Sequence, residues 1–383
     1  MSTQFTTVQN TIMGENALAD SGEQIAKIGK KALIITGKHI TKSGILAQLT
    51  DLLDKHGVLH AVFNDIIGEP TDLMIADTVQ AYQENQCDFI IGIGGGSPLD
   101  SVKACAAMTV LNGEISDYTG KEILGDFPPF VLIPTTAGTG SEVTKFTIIT
   151  DTKSDVKMLL RGDALLPQLA ILDPALSYSA PKKVTSATGI DALTHAVEAY
   201  TSKKATPITD VFALSAIKRI FQYLPGAYAD GYDKEARSEM AIAAYEAGIC
   251  INNSSVTIVH GMSRPIGALF HVPHGFSNAM LIVDCLSYVL DGCYARFATI
   301  AKHIGVADDN TSDQVAAEAF IVALKSLIKT VEIPSLIEYG IDKAEFEAAM
   351  DKMATDALAS GSPSNTIKAL EKSDLITIYK QAM

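Results

Sequence analysis

Three things are scarce in this 383-residue sequence: long apolar runs, basic charge and paired cysteines. No run approaches the roughly 20 apolar residues needed to span a bilayer, so a membrane-spanning helix is not expected. The first residues, MSTQFTTVQNTIMGENALAD, have neither a basic start nor an apolar stretch of the secretory kind, and a cytoplasmic location is the expectation. Lys and Arg are outnumbered by Asp and Glu, 30 to 44, giving a formal net charge of -14. Binding to nucleic acid backbones needs clustered cations, so that class of partner is not expected either. The five cysteines (Cys87, Cys105, Cys250, Cys285, Cys293) are odd in number and show no CxxC spacing, which argues against a disulfide framework and against a thiolate zinc site.

What is present is apolar residue in quantity, 47% of the chain, enough for about two ordinary cores. From about residue 30 to 175, short apolar runs alternate with amphipathic stretches. KALIITG (31–37), HAVFNDI (60–66), DFIIGIGGG (88–96), FVLIPTTA (130–137) and LAILDP (169–174) read as strands bounded by Gly or Pro. GILAQLTDLLDKHG and DLMIADTVQAYQENQ between them carry helical periodicity. Strands apolar on both faces, alternating with helices, indicate a mostly parallel sheet covered by helices. TKFTIIT and VKMLLRGD are expected as an antiparallel hairpin added to that sheet. After Pro181 the texture becomes Ala-, Leu- and Glu-rich, as in DVFALSAIKRIFQYL and SDQVAAEAFIVALKSLIKTV, and reads as helix. The expectation is an α/β domain over 1–179 and an all-helical domain over 180–383.

Two glycine-bearing loops follow expected strands. GIGGGSPLD (92–100) leads into a helical stretch, where uncapped N–H groups and the helix dipole attract phosphate. It is not the usual dinucleotide fingerprint, because a GxGxxG pattern read from Gly92 meets Ser97 where its last glycine should stand. TTAGTGSEVT (135–144) is a second such loop at what should be the same C-terminal edge of the sheet, where open parallel sheets bind ligands.

In GIDALTHAVEAY, Asp191 and His195 are four apart and share a helix face, and Glu198 is within reach of it. A carboxylate and an imidazole so spaced form a simple helix hydrogen bond more often than a metal site. Three more histidines crowd the segment from His260 to Ser277. His260 is read as ending the stretch INNSSVTIVH, and His274 precedes the helical FSNAMLIV. One carboxylate and three imidazoles make a set suited to Fe(II) or Zn(II) with positions left open. His271 would be a fourth local imidazole, able to relay a proton.

GGGSPLD, TTAGTGSE, TGIDALTHAVEAY and HG followed by HVPHGFSNA, in that order and spacing, resemble the iron-containing (group III) alcohol dehydrogenases, and the resemblance covers nearly the whole chain. It implies an N-terminal nucleotide-binding domain and a helical C-terminal domain, an architecture like that of dehydroquinate synthase. It also implies hydride transfer between a small primary alcohol or diol and NAD or NADP. Zinc glycerol dehydrogenases and dehydroquinate synthase share the architecture and stand as the alternative. Carried over residue by residue, the resemblance implies that Asp191, His195, His260 and His274 hold Fe2+, or Zn2+ or another divalent metal. It places Gly94, Gly95, Gly96, Ser97 and Asp100 at the cofactor pyrophosphate, and Thr135, Thr136, Thr144, Lys157 and Leu176 around the rest of the cofactor. His271 takes the catalytic proton-transfer position, and a homodimer or larger homo-oligomer is implied.

The departures from that family are as informative. Gly37, followed by Lys38, stands where NAD-specific members carry Asp, which makes NADP(H) admissible. Glu69 replaces the Asn of an NPT motif, and ASGSPSNT (359–366) departs from the usual segment there. Arg264 stands where many members have His, one helical turn after His260. One reading pairs it with a surface or interdomain carboxylate. The other makes it a guanidinium that grips a carboxylate, phosphonate or sulfonate on the substrate.

Overall fold

The structure, a computed structural model, describes residues 3–154 and 156–383. The chain divides into two compact units, Met1–Ala180 and Pro181–Met383.

The first unit is built on a six-stranded, wholly parallel sheet in the order β1-β8-β5-β4-β2-β3. Its strands are β1 (Asn10–Met13), β2 (Lys31–Ile35), β3 (Leu59–Phe63), β4 (Phe89–Gly94), β5 (Phe130–Pro134) and β8 (Leu169–Leu172). The five apolar runs read from the sequence are all strands. β1 was not anticipated, because NTIM is short and sits on an edge, paired only with β8. Side chains alternate between the faces. Ile34, Ile91, Ile93, Ile133 and Ile171 pack one core with Leu49 and Leu53 of the Ile45–Lys55 helix. Leu33, Ile35, Ile90 and Leu132 pack the opposite one with Leu99 and Val102. Each fully buried leucine of this kind stabilises the fold by about 1.5–3 kcal/mol.

The hairpin expected as part of this sheet is a correction. β6 (Phe146–Asp151) and β7 (Val156–Arg161) pair with each other in a separate two-stranded sheet. Ile149, Met158 and Leu160 face a third core with Ile75 of the Asp72–Glu84 helix and Ala104 and Ala107 of the Gly96–Met108 helix. The hairpin's inward side chains therefore cover helices, and it pairs with neither edge strand of the large sheet.

The chain runs from β2 outward to β3, then returns to the other side of β2 at β4 before continuing to β5. The strand order reverses between β2 and β4, and ligands of open α/β sheets bind outside the C-terminal ends of the strands at such a point. Gly37 and Lys38 follow β2 there, and the glycine turn follows β4.

Among its described residues the second unit carries helices and no strand. The Lys182–Tyr200 helix runs through its middle, with every residue from Gly189 to Tyr200 buried. A helix buried on all sides is expected at the centre of a packed bundle, and the polar Asp191, His195 and Glu198 it buries there need partners. It packs against the Pro207–Ala229, Lys234–Ser254 and His274–Val289 helices. No helix among the described residues is long and apolar enough to cross a membrane.

Candidate functional site

In the first unit, β4 ends at Gly94 with φ 152°, a backbone conformation that suits glycine, and a Cβ there would stand 2.8 Å from Pro98 Cγ. The Gly96–Met108 helix begins at once, and its N-cap, Gly95, makes no side-chain capping bond, so the first N–H groups remain available to an anion. Gly95, Gly96 and Ser97 are half-buried. The second loop lies against the first. The Thr135 N–H donates to the Gly94 carbonyl at 2.8 Å, and Thr136 is the nearest side chain to Gly95.

Other residues that the resemblance places at the cofactor are committed within the protein. Asp100 accepts from Ser141 Oγ at 2.6 Å and from the Ile148 N–H at 2.9 Å, so both its oxygens fasten the second loop and the hairpin to the helix. Thr144 is buried and accepts from Lys103 Nζ through its carbonyl (2.8 Å) and its hydroxyl (3.1 Å). Leu176 is buried in the core beneath the sheet. Asp100 and Thr144 thus brace the loops from inside, and Leu176 packs among the core residues of the sheet. Lys157 reaches Glu69, Nζ to Oε2 2.7 Å, so the residue that replaces the family's Asn neutralises a lysine expected at the cofactor. Lys38 pairs with Asp65 at 3.0 Å, with both side chains more than half exposed.

In the second unit, Asp191, His195, His260 and His274 come together. Each offers one ligand atom, and these atoms all lie within 4.8 Å of one another. Asp191 and His195 project from adjacent turns of the Lys182–Tyr200 helix. His260 does not end the preceding helix, as the sequence suggested. The Lys234–Ser254 helix stops before Ser255 at φ 67°, and His260 lies in the first turn of the next helix, Ile258–Phe270. His274 opens the His274–Val289 helix, and Gly275 lets that turn sit on the central helix, since a Cβ there would stand 3.0 Å from the Ala187 carbonyl oxygen.

Glu198 sets the geometry around His260. Its Oε1 accepts from the Val259 N–H at 2.5 Å and from Thr257 Oγ1 at 2.9 Å, capping the start of the Ile258–Phe270 helix from another helix. Its Oε2 accepts from His260 Nδ1 at 2.6 Å. With the proton on Nδ1, the Nε2 lone pair of His260 faces Asp191, 3.7 Å away. Burial, then the neighbouring His195 and His274, push His260 well below the ordinary imidazole range, which keeps it neutral. Burial alone would raise Asp191. The three imidazoles and the Asn278 amide outweigh it and hold the carboxyl below its usual value.

Asn278, unremarked in the sequence, sits inside the group. Its Nδ2 is 2.7 Å from Asp191 Oδ1, 3.0 Å from His260 Nε2 and 3.2 Å from His274 Nε2. Two amide hydrogens thus serve three acceptors. Its place four residues after His274, on the same helix face, was the signal available in the sequence.

The donor set fits a divalent first-row metal. It offers one ionised carboxylate and three imidazoles, at least one of them held in the ligating tautomer by a carboxylate behind it. His195 Nδ1 and Asn278 Oδ1 are buried without a hydrogen-bond partner, a costly arrangement outside a functional site. Asp191, His195 and His260 side chains are at most 5% exposed, whereas His274 is 31% exposed, so the group is reached past His274. His271 is not part of it. It is the exposed C-cap of the Ile258–Phe270 helix, with φ 53°.

Residues 9–174 match the family model for iron-containing alcohol dehydrogenase, and residues 185–383 match that for the C-terminal part of the Fe-containing alcohol dehydrogenase family. The chain is 38% identical to a 1,3-propanediol dehydrogenase of Citrobacter freundii, with 96% of each chain covered. It is 35% identical to an NAD-dependent methanol dehydrogenase of Bacillus methanolicus, with 100% of each covered. The crystal structure of a 1,3-propanediol oxidoreductase superposes with a TM-score of 0.96 at 35% identity over 100% of both chains.

Proposed function

The chain belongs to the iron-containing alcohol dehydrogenase family, and on that premise we propose that it transfers a hydride between a small primary alcohol or diol and NAD(P), in either direction. The observation that carries this reading is the convergence of Asp191, His195, His260 and His274, with Glu198 orienting His260. These four residues would hold Fe2+, or Zn2+ or another divalent ion. The bound ion supplies a Lewis acid that polarises the alcohol or carbonyl oxygen. The chain's own contribution is a dry, fixed ligand set with its accessible side at His274.

Gly94, Gly95, Gly96, Ser97, Thr135 and Thr136 would receive the cofactor. The uncapped start of the Gly96–Met108 helix supports a pyrophosphate position there. Gly37 presents no carboxylate to a ribose. Lys38 is tied to Asp65 only by an exposed pair of the kind worth little, so it remains free to meet a 2'-phosphate. Appreciable use of NADP(H) is therefore expected. His271, the exposed C-cap of the Ile258–Phe270 helix, is assigned proton transfer near the nicotinamide on the family resemblance alone. A cytoplasmic homo-oligomer belongs to the same proposal.

The test is reconstitution of metal-free protein with Fe(II), Zn(II), Mn(II) or Ni(II), followed by assay of an alcohol and aldehyde panel with both cofactors. Metal-dependent net oxidation or reduction of the nicotinamide, at comparable initial rates with NAD(H) and NADP(H), is expected. Absence of net cofactor turnover with every metal would overturn the dehydrogenase reading in favour of a cyclase of the same architecture. Activity confined to NAD(H) would remove the NADP(H) proposal alone.

A further inference from the structure

Arg264 carries a charge for which the helical unit supplies no counter-charge in contact. It lies one turn beyond His260 on the Ile258–Phe270 helix and is only partly exposed. Its Nη1 donates to Ser362 Oγ at 2.9 Å. Among the described residues no carboxylate comes within ion-pair distance of it, so the pairing with a surface acid that the sequence allowed is not found. Glu198 acts on it through space, but both Glu198 oxygens are already committed to Thr257, Val259 and His260. A guanidinium has five N–H donors, and a neutral hydroxyl balances none of its charge. Drawing such a group from water without an anion is costly unless a ligand provides one.

Formal charge points the same way. Asp191 and Glu198 cancel a bound divalent ion, so a neutral alcohol would leave the single positive charge of Arg264 uncompensated. We propose that Arg264 is a specificity-determining residue that receives the carboxylate, sulfonate or phosphonate of a short anionic aldehyde or alcohol whose oxygen lies at the His260 cluster. Cβ atoms one helical turn apart stand about 5–6 Å from one another, so Arg264 and His260 are neighbours on that helix. Planar or tetrahedral oxyanions match the guanidinium fork, whereas a hydroxyl of a neutral diol does not. This inference rests on the dehydrogenase reading above.

The experiment compares 4-oxobutanoate with butanal, and 2-sulfoacetaldehyde with propanal, on the metal-loaded full-length enzyme and on Arg264→Gln and Arg264→Lys. In the wild type the anionic member of each pair is expected to have the higher kcat/KM. That preference should fall about tenfold or more in Arg264→Gln, chiefly through KM, and recover in part in Arg264→Lys. A preference unchanged within about twofold, in a variant with wild-type metal content and melting temperature, overturns the proposal. A second readout needs no turnover: calorimetric titration of wild type and Arg264→Gln with ethanesulfonate and with ethanesulfonamide. Tighter binding of the sulfonate by about tenfold is expected in the wild type and its loss in Arg264→Gln, and equal binding in the wild type, or an unchanged preference in the variant, overturns the assignment. If no aldehyde of any kind is reduced, the dehydrogenase reading fails, while the calorimetric comparison still decides whether Arg264 holds an anion.

Discussion

Replacing Glu198 by Gln should weaken metal binding without removing any ligand. The Oε1 position of Glu198 accepts from the Val259 N–H and Thr257 Oγ1, both buried. A glutamine must keep its carbonyl oxygen there, because pointing its NH2 at those two donors would leave each unsatisfied at about 1–3 kcal/mol. The NH2 is then forced onto His260 Nδ1, which must become an acceptor, and the imidazole proton moves to Nε2. Nε2 is the nitrogen that faces Asp191 and that a metal needs deprotonated. Returning the proton to Nδ1 opposes two N–H groups and sacrifices a hydrogen bond. Loss of an outer partner of this kind typically costs ten- to a hundredfold in metal affinity, about 1.4–2.8 kcal/mol. Chelator competition gives the metal dissociation constant, and nitrogen NMR of the His260 ring gives the tautomer. An affinity within about twofold of wild type, with the proton still on Nδ1, would refute the reasoning.

Asn278→Ala should act in the opposite direction. The amide hydrogens occupy the lone pairs of Asp191, His260 and His274 that a cation requires, so their removal should tighten metal binding by about tenfold; weaker binding would mean that the amide aids ligation. Glu142, buried with Oε2 unpartnered, has its carboxyl raised from 4.5 to about 7, chiefly by burial. The native state therefore holds a proton that the unfolded chain releases, and this contribution is complete below pH 4.5 and lost as pH rises through about 7. Unfolding free energies from urea titrations at pH 5 and pH 7 should differ less in Glu142→Gln than in wild type, by at most about 2 kcal/mol because Lys103 lies nearby; parallel pH profiles would remove the explanation. Glu69→Gln frees Lys157 from its ion pair, and KM for the anionic cofactor should fall about two- to fivefold at low salt; an unchanged or raised KM would show that Lys157 does not meet the cofactor.

The elements that were legible are those with a local cause. β2, β4, β5 and β8 are continuous apolar runs closed by Gly or Pro, and a strand buried on both faces needs little more information than that. The ligand group was also accessible, because Asp191 and His195 are an i,i+4 pair whose shared face follows from helix geometry alone, and His260 and His274 joined them by residue type and by the family resemblance. β1 escaped because four residues on a sheet edge carry no periodic signal. The helix break before His260 escaped because it depends on Glu198, a residue some 60 positions earlier, capping a helix start that the local SSVT sequence does not announce.

By itself, then, the sequence determined the alternation of strand and helix, the two loops at the sheet's C-terminal edge, the family and the identities of the four clustered side chains. Only the tertiary structure decided which nitrogen of His260 faces the cluster, that Asn278 stands inside it, that Asp100 and Thr144 are committed within the protein, and that Arg264 has no carboxylate beside it. The division has a physical basis. Periodicity and residue type act between neighbours along the chain, whereas a tautomer, a hydrogen-bond partner or an unpaired charge depends on which distant groups the packing brings within about 3 Å.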